Sequence, residues 1–283
     1  MSLRGLGELG LLESIRPYLG AGAGGDDAAV LHDGHKYVVT SVDMFVEGVH
    51  FDFSWMSPED AGWRSLALAL GDLAAKGAKP EWALVALAIP PEWNVERITG
   101  LYSGMHWLAA RWHMPIAGGD LSATSGPGVL SLTVTGRTET KPLARSGAKP
   151  GWAVGVTGPL GAAAVALRER KPHRLVPLID EGGRLNRLGL ACGDISDGLV
   201  REMEKFAAMS GVGSIIEAAA VPLAEGAEVD EALTSGEEAD LVCVGPEEVV
   251  RGAGLTVVGR TTEEPEVIVV GSELETTGYD HFA

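Results

Sequence analysis

The stretch Ala61–Lys76, AGWRSLALALGDLAAK, decides how the chain is read. Its apolar residues recur at helical spacing and cover nearly the whole circumference, with Arg64, Ser65 and Asp72 the only polar side chains before Lys76. That pattern predicts a helix buried on most faces. At 100° per residue Asp72 falls about 20° from Ser65 and about 40° from Leu68, on a face otherwise filled by Ala and Leu. A carboxylate there is costly unless it is paired or metal-bound. Arg64 is a weak partner for it, because about 12 Å of helical rise separates the two.

Around this helix the chain mixes strands and helices. Lys36–Val42 (KYVVTSV) predicts a strand ending at Asp43, Trp82–Ile89 a second strand, Val95–Trp112 a helix and Gly128–Arg137 an alternating strand. The polar, Pro- and Gly-bearing stretch Thr138–Gly151 is the best boundary. Beyond it come a strand at Trp152–Thr157, a Gly-rich turn at Gly158–Gly161 leading into a helix to about Arg170, a helix at Asp194–Ser210 and a strand at Val267–Val270. No regular βαβ rhythm emerges, so the expectation is an α+β fold of two domains, residues 1–138 and 139–283.

Composition narrows the function. A length of 283 residues fits two domains at roughly 150 each. The balance of 22 Lys+Arg against 39 Asp+Glu, a formal charge of −17, argues against binding nucleic acid or an anionic membrane through a basic patch. The longest apolar stretch, Trp82–Pro91, is far shorter than the ~20 residues of a membrane span. The first twenty residues mix charge into their apolar positions and lack a signal-peptide core, so a soluble cytoplasmic protein is expected. Cys192 and Cys243 read as ordinary small apolar residues of a reducing compartment, neither metal box nor disulfide framework.

The chain has no G-x-x-x-x-G-K-[ST] loop, no kinase H-R-D with D-F-G, no H-E-x-x-H and no G-x-S-x-G. Its run Gly20–Gly25 is no dinucleotide loop, since no strand precedes it. What recurs is aspartate beside glycine at the ends of apolar segments. The instances are Gly25-Asp26-Asp27, Ser41-Val42-Asp43, Gly71-Asp72, Gly118-Gly119-Asp120 and Gly193-Asp194-Ile195-Ser196-Asp197-Gly198. Short carboxylates converging from loops and element ends suit a hard cation such as Mg2+, although each pair alone also writes a turn. At the last site Ser196 or Asp197 can cap the following helix, and the surplus acids point to metal or phosphate work. Thr157–Gly161 reads equally as a phosphate-facing helix N-terminus or as a plain turn. His50, Arg145 and Tyr279 are candidates by context.

In this order the segments GDDAAV (25–30), VDMFVEGVHF (42–51), GDLAAKGAKP (71–80), GGDLS (118–122), RSGAKPG (145–151), DISDGL (194–199) and GYDHF (278–282) resemble the thiamine-monophosphate kinases. These belong to the aminoimidazole-ribonucleotide-synthetase-like superfamily, and VEGVHF and GYDHF favour the kinases within it. The resemblance implies an N-terminal α/β domain that dimerises through its sheet and a C-terminal α/β domain across a nucleotide cleft. It implies several Mg2+ ions on Asp27, Asp43, Asp72, Asp120, Asp194 and Asp197, with Asp26 and Ser41 adjoining, and a catalytic role for Asp43, Asp72 and Asp120. Nucleotide contacts would come from Gly119, Asp120, Arg145 and Ser196, and substrate contacts from His50, Glu237 and Tyr279. The implied reaction is ATP-dependent phosphorylation of thiamine monophosphate to thiamine diphosphate by a homodimer. Ser235-Gly236-Glu237-Glu238-Ala239-Asp240 departs from the family's Gly-Glu-Asp-aromatic run and lacks its aromatic wall, and Val42 stands where a hydroxyl is common. The rival readings are another ATP-using enzyme of the superfamily and a non-catalytic nucleotide or divalent-cation binder.

Overall fold

The computed structural model describes residues 7–20 and 26–282, apart from the side chain of Leu9; the glycine run at 21–25 lies outside the described residues. The first half contains α1 (Gly7–Ile15), β1 (Ala29–His32), β2 (Tyr37–Val46), α2 (Pro58–Ala75), β3 (Lys79–Ile89), α3 (Val95–Ala109), β4 (Ile116–Ala123) and β5 (Val129–Thr138). Its five strands form one sheet in the order β1-β2-β5-β3-β4, antiparallel except for the β3–β4 pair. The second half contains β6 (Ala153–Val156), α4 (Ala162–Glu169), α5 (Ile179–Arg187), β7 (Ala191–Asp194), α6 (Leu199–Ser210), β8 (Gly213–Glu217), α7 (Val229–Thr234), β9 (Leu241–Gly245), α8 (Glu247–Gly252), β10 (Thr256–Thr262) and β11 (Val267–Val270). Its six strands form a second mixed sheet, β11-β8-β10-β6-β9-β7. The α+β expectation of two sheet-based halves describes this architecture.

The helix that anchored the sequence reading is the centre of the molecule. Ser57 caps α2 by accepting from the Asp60 N–H at 3.1 Å, and Pro58 follows at the first turn, where its missing donor costs nothing. One flank of α2 meets α3 so closely that a Cβ on Gly62 would come within 2.0 Å of the Leu101 carbonyl oxygen. Its apolar face packs on the first sheet, and Leu66, Leu70 and Leu73 share one core with Leu185 of α5, Cys192 of β7 and Leu241 of β9. Arg64, Ser65 and Asp72 are all buried, as the apolar circumference implied.

Three expectations are corrected. Asp194 ends strand β7 and α6 starts only at Leu199, so no helix runs from 194. Residues 195 and 196 instead hydrogen-bond to the 237–240 segment, and the chain bends at 196–197. Ile195 donates to the Asp240 carbonyl, Glu238 to that of Ile195, and Glu237 to that of Ser196 at 2.8 Å. The N-cap of α6 is Gly198, at a φ of 108° that suits glycine, so neither Ser196 nor Asp197 caps it. Finally, Cys192 and Cys243 sit directly opposite each other on β7 and β9, Cα atoms 4.2 Å apart, and form a disulfide. They are not separate apolar thiols. A spacing of 51 residues gives no hint of the register that makes them neighbours.

Candidate active site

A cleft of about 2060 Å³ opens between the two halves, lined among others by Asp27, Asp43, Asp72, Arg145, Asp194 and Asp197. Four elements deliver the acids. Strand β2 runs past Asp43, whereas the sequence ended it there, and β2 carries both Ser41 and Asp43 on the face turned toward α2. Helix α2 brings Asp72, β7 ends at Asp194, and the segment before β1 brings Asp26 and Asp27. Gly71 leaves room for this convergence: a Cβ there would lie 3.2 Å from Asp194 Oδ2. Asp27, Asp72 and Asp194 each offer an oxygen within 4.8 Å of the others.

The acids fall into two electrostatic classes. Burial alone would raise Asp27, but Arg145 and Lys76 more than offset it and hold its carboxyl down at about 2. Asp72 is the opposite case. Burial, then repulsion from Asp194, Asp43 and Asp27, pushes its carboxyl well above the ordinary range, and the Ser41 hydroxyl that donates to it compensates only in part. Asp194 is raised in the same way, chiefly by burial and Asp27, and Asp43 is raised to about 6 by burial, Asp27 and Asp197. Buried, mutually repelling carboxylate oxygens are a donor set that fits a hard divalent cation. Arg145, 3% exposed, forms an ion pair with Asp27 and donates to Glu202 at 2.5 Å, and Glu202 also receives Lys205 at 2.6 Å. Lys205 reaches Asp197 at 2.7 Å as well, and Ser196 donates to Glu202 at 3.2 Å. Ser196 and Asp197 of DISDGL are therefore bound into one charged network with Arg145.

The substrate candidates gather at one side of the same cleft. His50 Nδ1 accepts from the Val46 N–H at 3.0 Å, which leaves Nε2 as the protonated nitrogen of the neutral ring, and burial lowers its affinity for a second proton. The His50 ring lies 5.2 Å from His281, and Tyr279 meets His281 edge-on at 4.8 Å. Glu237, at a positive φ of 60°, pairs with Arg64 of α2. Arg64 is thus committed to Glu237 and not to Asp72.

Glu238 explains the altered stretch. Its buried carboxylate accepts from the N–H groups of Gly161 at 2.9 Å and Ala163 at 3.2 Å, so the N-terminus of α4 already holds an anion supplied by the chain. That corrects the phosphate-facing reading of Thr157–Gly161. Burial, partly countered by those two donors, raises the Glu238 carboxyl to about 7. A carboxyl raised above its ordinary 4.5 supports the fold fully below that value, and the support is lost as pH climbs through about 7. Glu238→Gln keeps an acceptor oxygen and removes the titration. The variant should unfold later than the parent at pH 8, by up to about 3 kcal/mol, with the gap shrinking toward pH 5. Thermal unfolding at both pH values checks this, and a pH-independent gap excludes it.

Gly119 and Asp120 are not brought to the cluster. Across the first sheet Met44, Ser131, Ala86 and Asp120 form one row, and Asp43, Leu132, Val85 and Gly119 the next. Leu132 and Val85 are buried against the helices while Met44 is 61% exposed, so Asp120 stands on the sheet face opposite to Asp43. Sequence reasoning missed Lys76, Glu202, Lys205, Glu238 and His281. The one available signal was Lys76, a charge closing a helix apolar nearly all round.

Residues 25–138 match the family model described as AIR synthase related protein, N-terminal domain. The chain is 30% identical to the thiamine-monophosphate kinase of Aquifex aeolicus, covering all of both sequences. It is 34% identical to that of Methanopyrus kandleri, covering 88% of this chain and 85% of the relative. Among solved structures, "AaThiL complexed with AMPPCP and TMP" superposes with a TM-score of 0.89 at 30% identity, over 100% of this chain and 99% of that one. With full-length likeness in sequence and fold, and with the acid cluster built from the segments that carry it, the chain belongs to the thiamine-monophosphate kinase family.

Proposed function

We propose that this protein phosphorylates thiamine monophosphate with ATP to give thiamine diphosphate and ADP. The observation that carries the reading is full-length similarity to a structure described as holding both an ATP analogue and TMP, together with a cleft here that joins an acid cluster to an aromatic pocket. In the reaction an oxygen of the substrate phosphate, already largely deprotonated at neutral pH, attacks the γ-phosphorus of ATP in line. The new P–O bond forms as the bond to the β-phosphate oxygen breaks, and its electron pair leaves with ADP. No general base and no phosphoenzyme are required.

Asp27, Asp72 and Asp194, with Asp43 and Asp197 beside them, would hold Mg2+; bound there, it supplies Lewis-acid neutralisation of phosphate charge. The chain's own part is positioning. Arg145 and Lys205 fix Asp27, Glu202 and Asp197, so the acids need little rearrangement when substrates arrive. We assign Ser196 and Arg145 to the nucleotide, and His50, Glu237 and Tyr279 to the thiamine end, where His281 supplies an aromatic surface that Ala239 does not.

We further assign residues 1–138 and 139–283 to two domains and the outer face of the first sheet to a homodimer. Val42 and Met44 are 65% and 61% exposed, two residues apart on the same face of β2, an apolar patch that a second copy would cover. Asp120 and Gly119, on strand β4 of that sheet, would then serve the nucleotide and its metal at the interface. A cytoplasmic setting with ATP at hand fits such an enzyme; no helix among the described residues is long and apolar enough to cross a membrane, and the Cys192–Cys243 bond is buried away from reductants.

Purified protein incubated with ATP, Mg2+ and thiamine monophosphate is expected to form thiamine diphosphate and ADP, separable by chromatography, and to form none in excess EDTA. Nucleotide binding without product would favour a binding module. Product from a different acceptor would favour a sibling enzyme of the superfamily.

A further inference from the structure

Lys76 has no exposed surface. It closes α2, and its Nζ lies 2.6 Å from Asp26 Oδ1, 2.6 Å from Asp27 Oδ2 and 3.0 Å from the Cys192 carbonyl oxygen. The ammonium donates to Asp26 and to the Cys192 carbonyl and forms an ion pair with Asp27. Its position is set by the backbone: Lys76 N–H donates to the Asp72 carbonyl and Ala78 N–H to that of Leu73, and a helix C-terminus favours a cation. Asp72 lies one helical turn earlier on the same helix, with a carboxylate oxygen within 4.8 Å of one on Asp27.

The charges therefore divide in space. Asp26 and Asp27 both have fixed protein cations within contact distance, Lys76 at 2.6 Å from each and Arg145 against Asp27 and 3.6 Å from Asp26. Asp72, Asp194 and Asp43 repel one another and lean on Ser41 and more distant cations. A lysine ammonium is a compact point charge, and between two carboxylates it does the electrostatic work of an ion without its ligand exchange.

We propose that Lys76 is a built-in cation, its ammonium holding the place between Asp26 and Asp27 that a divalent ion would otherwise take and so positioning Asp27 against Asp72 and Asp194. The inference rests on the magnesium reading of the cluster. It makes Lys76 a positioning residue, acting through Asp27, and it limits metal to the Asp72 and Asp194 side.

The test locates and counts manganese. In crystals of the wild-type chain soaked with Mn2+ and a non-hydrolysable ATP analogue, anomalous scattering should place manganese on Asp27, Asp72 and Asp194, with Lys76 Nζ still between Asp26 and Asp27. Manganese bridging Asp26 and Asp27 with Nζ displaced overturns the proposal and leaves the cluster reading standing. Manganese on none of these acids overturns the magnesium reading, and this proposal with it. Lys76→Met should bind one more Mn2+ per chain than wild type in equilibrium dialysis, and an unchanged count in the folded variant overturns the proposal. If the variant does not fold, the wild-type crystal decides alone.

Discussion

Asp72→Asn is expected to lower turnover by roughly 10³-fold, the effect of removing several kcal/mol of charge stabilisation from a phosphoryl-transfer site, while leaving the fold intact. Asparagine fills the same space and still offers an oxygen to the Ser41 hydroxyl that now donates to Asp72. What it removes is a charge that burial and three neighbouring aspartates already oppose. The same substitution should therefore stabilise the metal-free protein. Because the Asp72 carboxyl is raised in the folded state, its ionisation destabilises the fold at any pH above its unfolded value near 3.8. In excess EDTA at pH 8 the variant should melt above wild type, with the gap closing as pH falls toward 4. Loss of activity with a gain of metal-free stability is the signature of a ligand and not of a structural acid. Near-normal turnover, or a lower melting temperature in EDTA, would count against the cluster.

How far the sequence could carry this follows from which interactions are local. Asp72 was legible because its incongruity, a carboxylate on an apolar circumference, is contained within sixteen residues of one helix. The strands around Ser41 and Val134 were legible for the same reason, through alternation and β-branching. The resemblance motifs then grouped Asp72 with Asp27, Asp43 and Asp194, and the fold does bring these to one cleft. Asp120 shows the limit. Its motif says nothing about which face of strand β4 it occupies, and the parity of the sheet puts it opposite Asp43. The cysteine pair was hidden because it depends on the register of β7 against β9. Glu238 was hidden because its role, satisfying the N-terminus of α4, joins residues 75 positions apart. Residues 195–197 were misread as helix because the backbone partners of Ile195 and Ser196 lie in the 237–240 segment, and no local preference announces such pairing.

Arg145→Met is expected to produce the largest loss of stability of any single substitution at the site. The guanidinium is 3% exposed and touches two carboxylates that are almost fully buried, Asp27 and Glu202. Methionine fills much of its volume but leaves both charges short of a partner, and breaking a buried network in this way costs about 3–5 kcal/mol. For a chain of this size that is a fall in melting temperature of roughly 10 °C. Lys76 still serves Asp27 and Lys205 still serves Glu202, which keeps the loss from being larger. Glu202→Gln in the Arg145→Met background should recover part of it, since one uncompensated charge is then gone while the Ser196 and Lys205 contacts keep an acceptor. Arg145→Lys should fall between, because an ammonium cannot span Asp27 and Glu202 as the planar fork does. A double-mutant cycle on residues 145 and 202, read by chemical denaturation, gives the coupling. Additive effects within about 0.5 kcal/mol, or an Arg145→Met variant as stable as wild type, would show that the network does not act as a unit.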